Sequence, residues 1–178
     1  EGSEYYGIAL TESIETQVFG NKLLNNVNSG LHLHNAQNAT TGNISADNAL
    51  VIEGSDFGVT ALGNLTGTQL VANLIQNNSN AGVFMVEAKG LSLFRNTISN
   101  NGPYGVLAFD DSSETSIEGN TIKQSDAGVW LSEVSGVTIG FDAASTPANQ
   151  GVPNTITDNY SVGIIIQGTT AADNAILS

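Results

Sequence analysis

The sequence predicts an all-β fold, a right-handed parallel β-helix (solenoid) of about seven coils. Two patterns recur along the 178 residues: a glycine followed by an aliphatic residue, and an Asn followed two positions later by Leu or Ile. After each glycine, apolar residues are spaced by two, as in a strand. Short strands repeated at such intervals, with no helical segment between them, stack as the coils of a solenoid. Parallel crossovers are nearly always right-handed, which predicts the hand of the coil.

The glycine repeat is clearest where Gly82-Val-Phe-Met-Val is followed, 23 residues later, by Gly105-Val-Leu-Ala-Phe. Val83 and Met85 are predicted to point into the core, as are their equivalents in the other coils. The glycine column consists of Gly7, Gly30, Gly58, Gly82, Gly105, Gly128 and Gly163. Glycine at these positions relieves a crowded corner of each coil.

The Asn column is interpreted as structural. An Asn at a tight corner tolerates left-handed backbone, and its amide can bond the equivalent Asn one coil away, which forms a ladder. The predicted ladder consists of Asn21, Asn48, Asn73, Asn96, Asn120 and Asn154, and Asn174 fits the same pattern. Each Asn precedes the next glycine by 8 to 10 residues, whereas the distance from glycine to Asn ranges from 11 to 26. The first arc is therefore predicted to be scaffold, and the second to carry loops.

Two long excursions are expected on the variable arc, at residues 34–45 and 140–153. The first is polar and is predicted to be surface-exposed. The second contains two prolines and Phe141, so it is predicted to be an ordered flap that packs Phe141 on or near the outward face of the strands. Neither end of the sequence resembles the polar cap of a repeat protein. Residues 1–178 are therefore expected to form a single domain within a longer protein, with uncapped ends.

The composition excludes several classes of partner. Four basic residues stand against 17 acidic ones, which gives a net charge of -13. Such a surface repels nucleic acid and anionic lipid. No apolar run approaches the roughly 20 residues that a membrane helix needs, so we expect no membrane partner. The absence of cysteine excludes disulfides and thiolate metal sites, and is compatible with an extracellular or cell-surface protein.

The repeat motifs resemble those of a known family. Asn96-Thr-Ile-Ser-Asn-Asn, Gly119-Asn-Thr-Ile and Pro153-Asn-Thr-Ile-Thr-Asp-Asn, each followed by Gly-Val or Gly-Ile, are similar to parallel β-helix repeats of the pectate lyase superfamily. That superfamily includes pectate lyases, polygalacturonases, mannuronan epimerases and bacterial surface proteins. The resemblance implies the fold strongly and the activity weakly, because its motif consists of scaffold residues. For the enzymes of the group, it implies a substrate lying along the outward face of one sheet.

The outward positions of the predicted strands carry an apolar stripe. Its members are Phe84, Leu107, Phe109, Trp130 and Ile165. Such a patch generally means that something is laid over it. The preferred interpretation is a cover supplied by a loop of this chain, by a neighbouring protein segment or by a second subunit. The alternative is a platform for an extracellular polysaccharide centred on Trp130, because aromatic faces suit pyranose rings.

Carboxylates are predicted to stack beside the stripe. Glu87, Asp110 and Glu133 occupy equivalent positions in three consecutive coils, and Asp111 is adjacent. They are interpreted first as solvated corner acids. The alternatives are a calcium site formed by Glu87, Asp110 and Glu133, since oxygen-rich clusters suit that cation, and a set of four catalytic candidates that includes Asp111. No motif requires a cofactor.

His32 and His34 would project from the same face of one strand. Two imidazoles in this arrangement could contribute to a weak metal site, although no third ligand is evident nearby in the sequence and only Asp47 or Glu53 could approach. A histidine pair without metal is the preferred interpretation.

Two classes of function remain. The Gly-His-Gly and Arg-x-Lys elements of polygalacturonases and the Tyr-Gly-x-Asp-Pro-His signature of mannuronan epimerases are absent, as are the motifs of serine hydrolases and phosphate loops. The preferred function is therefore a non-catalytic exported β-helix module for adhesion, assembly or carbohydrate contact. The alternative is part of a polysaccharide lyase, glycoside hydrolase or uronan epimerase that acts on an extracellular glycan.

Overall fold

Parallel strands wind through the whole described chain. The computed structural model of the protein describes residues 5–43, 49–141, 151–169 and 171–177. Within these ranges there are twenty strands, numbered β1 to β20 along the chain, and no helix. The strands form three sheets, and neighbours within a sheet are parallel. The predicted parallel β-helix is therefore confirmed.

Each coil contributes strands to the three sheets in turn. The first sheet contains β1 (Tyr6–Thr11), β4 (Ser29–His34), β7 (Phe57–Asn64), β10 (Ala81–Lys89), β13 (Tyr104–Phe109), β16 (Ala127–Ser132) and β19 (Val162–Gln167). The second contains β2 (Gln17–Val18), β5 (Thr40–Thr41), β8 (Gln69–Val71), β11 (Ser92–Phe94), β14 (Ser116–Glu118), β17 (Thr138–Ile139) and β20 (Ala175–Ile176). The third contains β3 (Lys22–Leu24), β6 (Val51–Glu53), β9 (Leu74–Gln76), β12 (Thr97–Ser99), β15 (Thr121–Lys123) and β18 (Thr155–Thr157).

Columns of aliphatic side chains fill the interior. The column of the first sheet includes Leu31, Val59, Val83, Val106 and Val129. The column of the third sheet includes Ile52, Ile75, Ile98 and Ile122. All nine side chains are fully buried. Burial of this kind contributes about 1.5–3 kcal/mol per large aliphatic side chain and is the main force that holds the coils together.

The glycine column lies where the first sheet approaches the isoleucines of the third. A Cβ on Gly82 would stand 2.6 Å from Cγ2 of Ile98 and 2.7 Å from the carbonyl oxygen of Gly105. These distances are shorter than van der Waals contact, so a residue with a Cβ does not fit without displacing its neighbours. The prediction that glycine relieves a crowded corner is confirmed.

Asn side chains link successive coils at the start of the third sheet. The backbone N–H groups of Asn73, Asn96 and Asn120 donate to Oδ1 of the Asn on the next coil, at 2.9, 2.9 and 2.8 Å, the last acceptor being Asn154. The amide of Asn96 also donates to the carbonyl oxygen of Leu70 at 2.8 Å. These bonds satisfy buried backbone groups at the corner. The ladder residue Asn48 lies outside the described residues, and the exposed Asn21 donates to the carbonyl oxygen of Phe19.

A second Asn ladder, which the sequence analysis missed, lies at the next corner. The backbone N–H of Ser55 donates to Oδ1 of Asn78 at 3.0 Å, and the side-chain amide of Asn78 donates to Oδ1 of Asn101 at 2.8 Å. The sequence signal for this ladder is a second Asn that lies five residues after the first Asn of the same coil. It recurs at Asn73 and Asn78, Asn96 and Asn101, and Asn154 and Asn159.

Two predictions were wrong, one about the variable arc and one about the Asn column. Residues 35–43 are not an exposed excursion, because Ala36 and Ala39 are fully buried and Thr40–Thr41 forms β5 of the second sheet. Asn174 does not extend the Asn column: it precedes β20 of the second sheet, where its Oδ1 accepts the N–H of Val137 at 3.0 Å. The strands of the second sheet contain only two or three residues, which is too few to show a periodicity, so the sequence could not distinguish this sheet from loops.

Candidate functional site

The predicted stripe lies in register on the outward face of the first sheet. Phe84 pairs with Leu107, Leu107 with Trp130, and Trp130 with Ile165. Phe109 lies two residues beyond Leu107 on β13. All five side chains are half-buried. The stripe is therefore an apolar surface on which part of each side chain remains accessible to solvent.

Aromatic contacts between neighbouring coils fix the rings of the stripe. The ring centroid of Phe84 lies 4.6 Å from that of Phe57 and 5.3 Å from that of Phe109. Trp130 meets Tyr104 edge to face, with centroids 5.5 Å apart. Such contacts contribute about 0.5–1.5 kcal/mol each beyond burial and restrict the ring orientations. Phe57 and Tyr104 were not among the predicted outward residues, because they precede the glycine of their coil, whereas the predicted outward positions follow it.

Phe141 does not pack on the stripe, contrary to the prediction. It lines a cavity of about 720 Å³ together with Ser116 and Thr138 of the second sheet, and its ring lies against Gly151. The reason is topological: Phe141 follows β17, so the chain leaves the coil from the second sheet rather than from the first. The remainder of the predicted flap, residues 142–150, lies outside the described residues.

The predicted carboxylates lie at the corner where strands of the first sheet end. Glu87, Asp110 and Glu133 all have left-handed backbone, with φ of 49°, 51° and 53°. The N–H of Glu87 donates to the carbonyl oxygen of Asp110, and the N–H of Asp111 donates to that of Glu133, both at 3.0 Å. The carboxylate of Glu133 accepts the N–H of Thr169 at 3.0 Å. Glu133 therefore fastens its coil to the next one, as part of the scaffold.

The two histidines belong to a polar cluster on the same face. Nδ1 of His32 lies 2.8 Å from Oγ1 of Thr60, which lies 3.0 Å from Oγ of Ser29. The ring of Tyr6 stacks on His32 with centroids 4.2 Å apart, and His34 lies 6.4 Å away. Burial, and secondarily the charge of His34, lowers the pKa of His32. His32 is therefore mostly neutral at pH 7.

Glu53 does not approach the histidines. It lies in β6 of the third sheet, where its carboxylate accepts hydrogen bonds from Asn77 at 2.8 Å and Gln76 at 3.2 Å. These two hydrogen bonds, that from Asn77 first, lower the pKa of Glu53. Asp47 lies outside the described residues. Across the ranges that the structure describes, no group of three or more His, Cys, Asp or Glu side chains is close enough to hold a metal ion.

An NMR titration is expected to give His32 a pKa below that of an exposed histidine, which is about 6.5. The folded state then binds fewer protons than the unfolded state between these two pKa values, so the contribution of His32 reduces stability as the pH falls through this window. His34→Gln should raise the pKa of His32 only in part, because burial is the larger cause. A His32 pKa at or above that of an exposed histidine would contradict this assignment.

The three parallel sheets, with corners that stack from coil to coil, define the class of protein. It is a parallel β-helix solenoid, and the outward face of its first sheet forms one side of the solenoid. The chain belongs to the right-handed β-helix region family, whose model matches residues 6–177. Comparison with curated proteins gave no significant match. The residues that the structure describes include no helical segment that could span a membrane.

One similar solved structure is the crystal structure of a double mutant of a periplasmic alginate epimerase. It matches with a TM-score of 0.71 and 14% sequence identity, and the match covers 97% of this chain and 48% of that one. This chain therefore spans about half the length of that structure. At this identity the likeness shows the fold alone.

Proposed function

We propose that this protein is a non-catalytic, exported β-helix module that contacts carbohydrate through the outward face of the first sheet. The observation that carries the proposal is the edge-to-face pair of Trp130 and Tyr104, which lies beside Phe84 and Leu107 in a half-buried stripe. Pyranose rings present apolar C–H faces that pack on aromatic rings. The rings are already fixed by their neighbours, so little side-chain entropy is lost on binding.

The border of the stripe supplies polar groups that suit sugar hydroxyls. Glu87 lies in β10, and Asp110 and Asp111 follow β13, at the end of the strands that carry Phe84 and Leu107. Carboxylates accept hydrogen bonds from hydroxyls, and such charge-assisted bonds are stronger than neutral ones. An apolar platform with acceptors along one edge fits the amphipathic surface of a sugar chain.

Trp130→Ala is expected to weaken glycan binding at least about tenfold, the equivalent of about 1.4 kcal/mol. The measurement is affinity electrophoresis in gels that contain neutral polysaccharides, pectin or alginate. Tyr160→Ala is the matched control, because Tyr160 is an aromatic residue that is 75% exposed and lies outside the stripe. Equal losses in the two variants, or no retardation by any glycan of the panel, would refute the proposal.

A second candidate function, a polysaccharide lyase, hydrolase or epimerase, is favoured by His32. A neutral imidazole bonded to Thr60 beside a sugar platform has the form of a general base. Incubation of the same glycans with and without calcium, monitored for unsaturated and reducing ends, tests it. A product that disappears in His32→Gln or Asp110→Ala would establish the enzyme. Binding without any product supports the non-catalytic module.

A further inference from the structure

Aromatic and non-aromatic side chains alternate from coil to coil along most of the first sheet. At the position before each glycine, the residues in register are Tyr6, Ser29, Phe57, Ala81, Tyr104, Ala127 and Val162. Three residues later they are Ala9, His32, Thr60, Phe84, Leu107, Trp130 and Ile165. In the first row, which is the position before each glycine, aromatic rings lie on the first, third and fifth coils. In the second row, three residues later, they lie on the second, fourth and sixth coils.

Each ring of the first row contacts the ring of the second row on the following coil. The contacts are Tyr6 with His32 at 4.2 Å, Phe57 with Phe84 at 4.6 Å, and Tyr104 with Trp130 at 5.5 Å between centroids. The small residues of the first row, Ser29, Ala81 and Ala127, are buried, and their size leaves room for a ring to reach across. The face therefore carries three ring pairs, each of which spans two coils.

The spacing of the ring pairs follows from sheet geometry. Strands of one sheet lie about 4.8 Å apart, so equivalent ring pairs are separated by roughly 9.6 Å along the solenoid axis. This distance is comparable to the length of a disaccharide unit in an extended β-linked glycan. A glycan laid parallel to the axis would thus place equivalent sugars on successive ring pairs.

The charges around the face favour a neutral glycan. Three of the four basic residues lie on the other two sheets or at their ends, namely Lys22, Arg95 and Lys123. The fourth, Lys89, shares a cavity with Glu87 and Asp111. With a net charge of -13, the protein repels a polymer of uronic acids, whereas neutral sugar hydroxyls can donate to the carboxylates.

We propose that the first sheet binds a neutral, unbranched β-linked glycan along the solenoid axis, with one ring pair for each disaccharide unit. This inference rests on the carbohydrate contact proposed above and names its substrate class and register. The ring pairs are centred on Phe84 and Trp130, with His32 forming the third. A glycan that contacts two pairs gains affinity because the second contact is intramolecular.

The sequence supplies the probe for the test. Trp130 is the only tryptophan, so its fluorescence reports binding at one ring pair. Titration with β-1,4-linked gluco-oligosaccharides of two to six units is expected to show affinity that rises in steps of two units. The tetrasaccharide should bind at least about tenfold more tightly than the disaccharide, and the trisaccharide should resemble the disaccharide.

Phe84→Leu tests the register, because it removes one ring, retains apolar volume and leaves Trp130 in place. The affinity for the disaccharide, measured by Trp130 fluorescence, should be unchanged. The tetrasaccharide should no longer bind more tightly than the disaccharide. Tyr160→Ala should keep both affinities. Circular dichroism of each variant confirms that the fold is intact.

The outcomes separate this inference from the proposed function. Affinity that rises smoothly with length, or a step that persists in Phe84→Leu, overturns the disaccharide register while leaving carbohydrate contact intact. Oligouronates that bind as tightly as the neutral series overturn the neutral class. No binding of any oligosaccharide or polymer overturns both proposals. A change in Trp130 emission that depends on protein concentration alone would show that a second copy of the chain covers the outward face of the first sheet. That result would also overturn both proposals.

Discussion

Gly105→Ala is expected to destabilise the protein by about 3 kcal/mol, the upper part of the range for overpacking a well-filled core. A Cβ at this position would stand 2.5 Å from the carbonyl oxygen of Gly128 and 2.7 Å from Cγ2 of Ile122. The first contact is to backbone, which cannot move without disturbing the ladder between β13 and β16. Urea denaturation followed by Trp130 fluorescence measures the effect, which corresponds to a fall in Tm of roughly 6–12 °C.

The matched control is Gly163→Ala. This glycine occupies the equivalent position on β19, and among the residues that the structure describes its added Cβ would lie within 4 Å of Cγ2 of Ile156 alone, at 3.6 Å. That distance is an ordinary van der Waals contact, so the change should alter the free energy of unfolding by less than about 1 kcal/mol. Equal effects at Gly105 and Gly163 would show that the crowding at the glycine column is not what requires glycine.

Asn96→Ala should cost about 3 kcal/mol, because it leaves several buried groups without partners. The side chain of Asn96 accepts the N–H of Asn73 at 2.9 Å and donates to the carbonyl oxygen of Leu70 at 2.8 Å and to Oδ1 of Asn120 at 3.0 Å. Asn96 is 1% exposed, so water cannot replace these bonds. The same denaturation experiment measures the loss.

Asn100→Gly provides the comparison for Asn96, because the backbone of Asn100 is left-handed, with φ of 54°, and glycine adopts that conformation without the strain that alanine would add. Asn100 also bonds an Asn of the neighbouring coil, since its amide donates to Oδ1 of Asn77 at 2.6 Å, but this bond is exposed. Solvent can satisfy the groups that the change releases, and the expected cost is below about 1 kcal/mol. A small effect at Asn96, similar to that at Asn100, would mean that the inner ladder contributes little to stability.

The fold was predictable because its requirements are local and repeat in every coil. The contact of Gly82 with Ile98 and of Gly105 with Ile122 arises from one geometry, so the same residue types recur at the same spacing. The second sheet was not predictable in this way. Its strands β2, β5 and β17 contain two residues each, and two residues cannot show an alternation.

The candidate site was predictable only in part. The register of Phe84, Leu107 and Trp130 followed from their constant offset after the glycine. The ring pairs did not, because Tyr104 and Trp130 are brought together by stacking of separate coils and by the small residue Ala127 between them. The predicted position of Phe141 was also wrong, because that position depends on the sheet from which the chain leaves the coil.

The most direct test of carbohydrate contact at the first sheet is the emission of Trp130 during titration with a neutral β-linked polysaccharide. The structure predicts a saturable change in emission that oligosaccharides of the same glycan reproduce, and a much weaker response to alginate or pectin. A polysaccharide that retards the protein in affinity electrophoresis but leaves the Trp130 emission unchanged at saturation would contradict it, because binding would then lie away from the stripe.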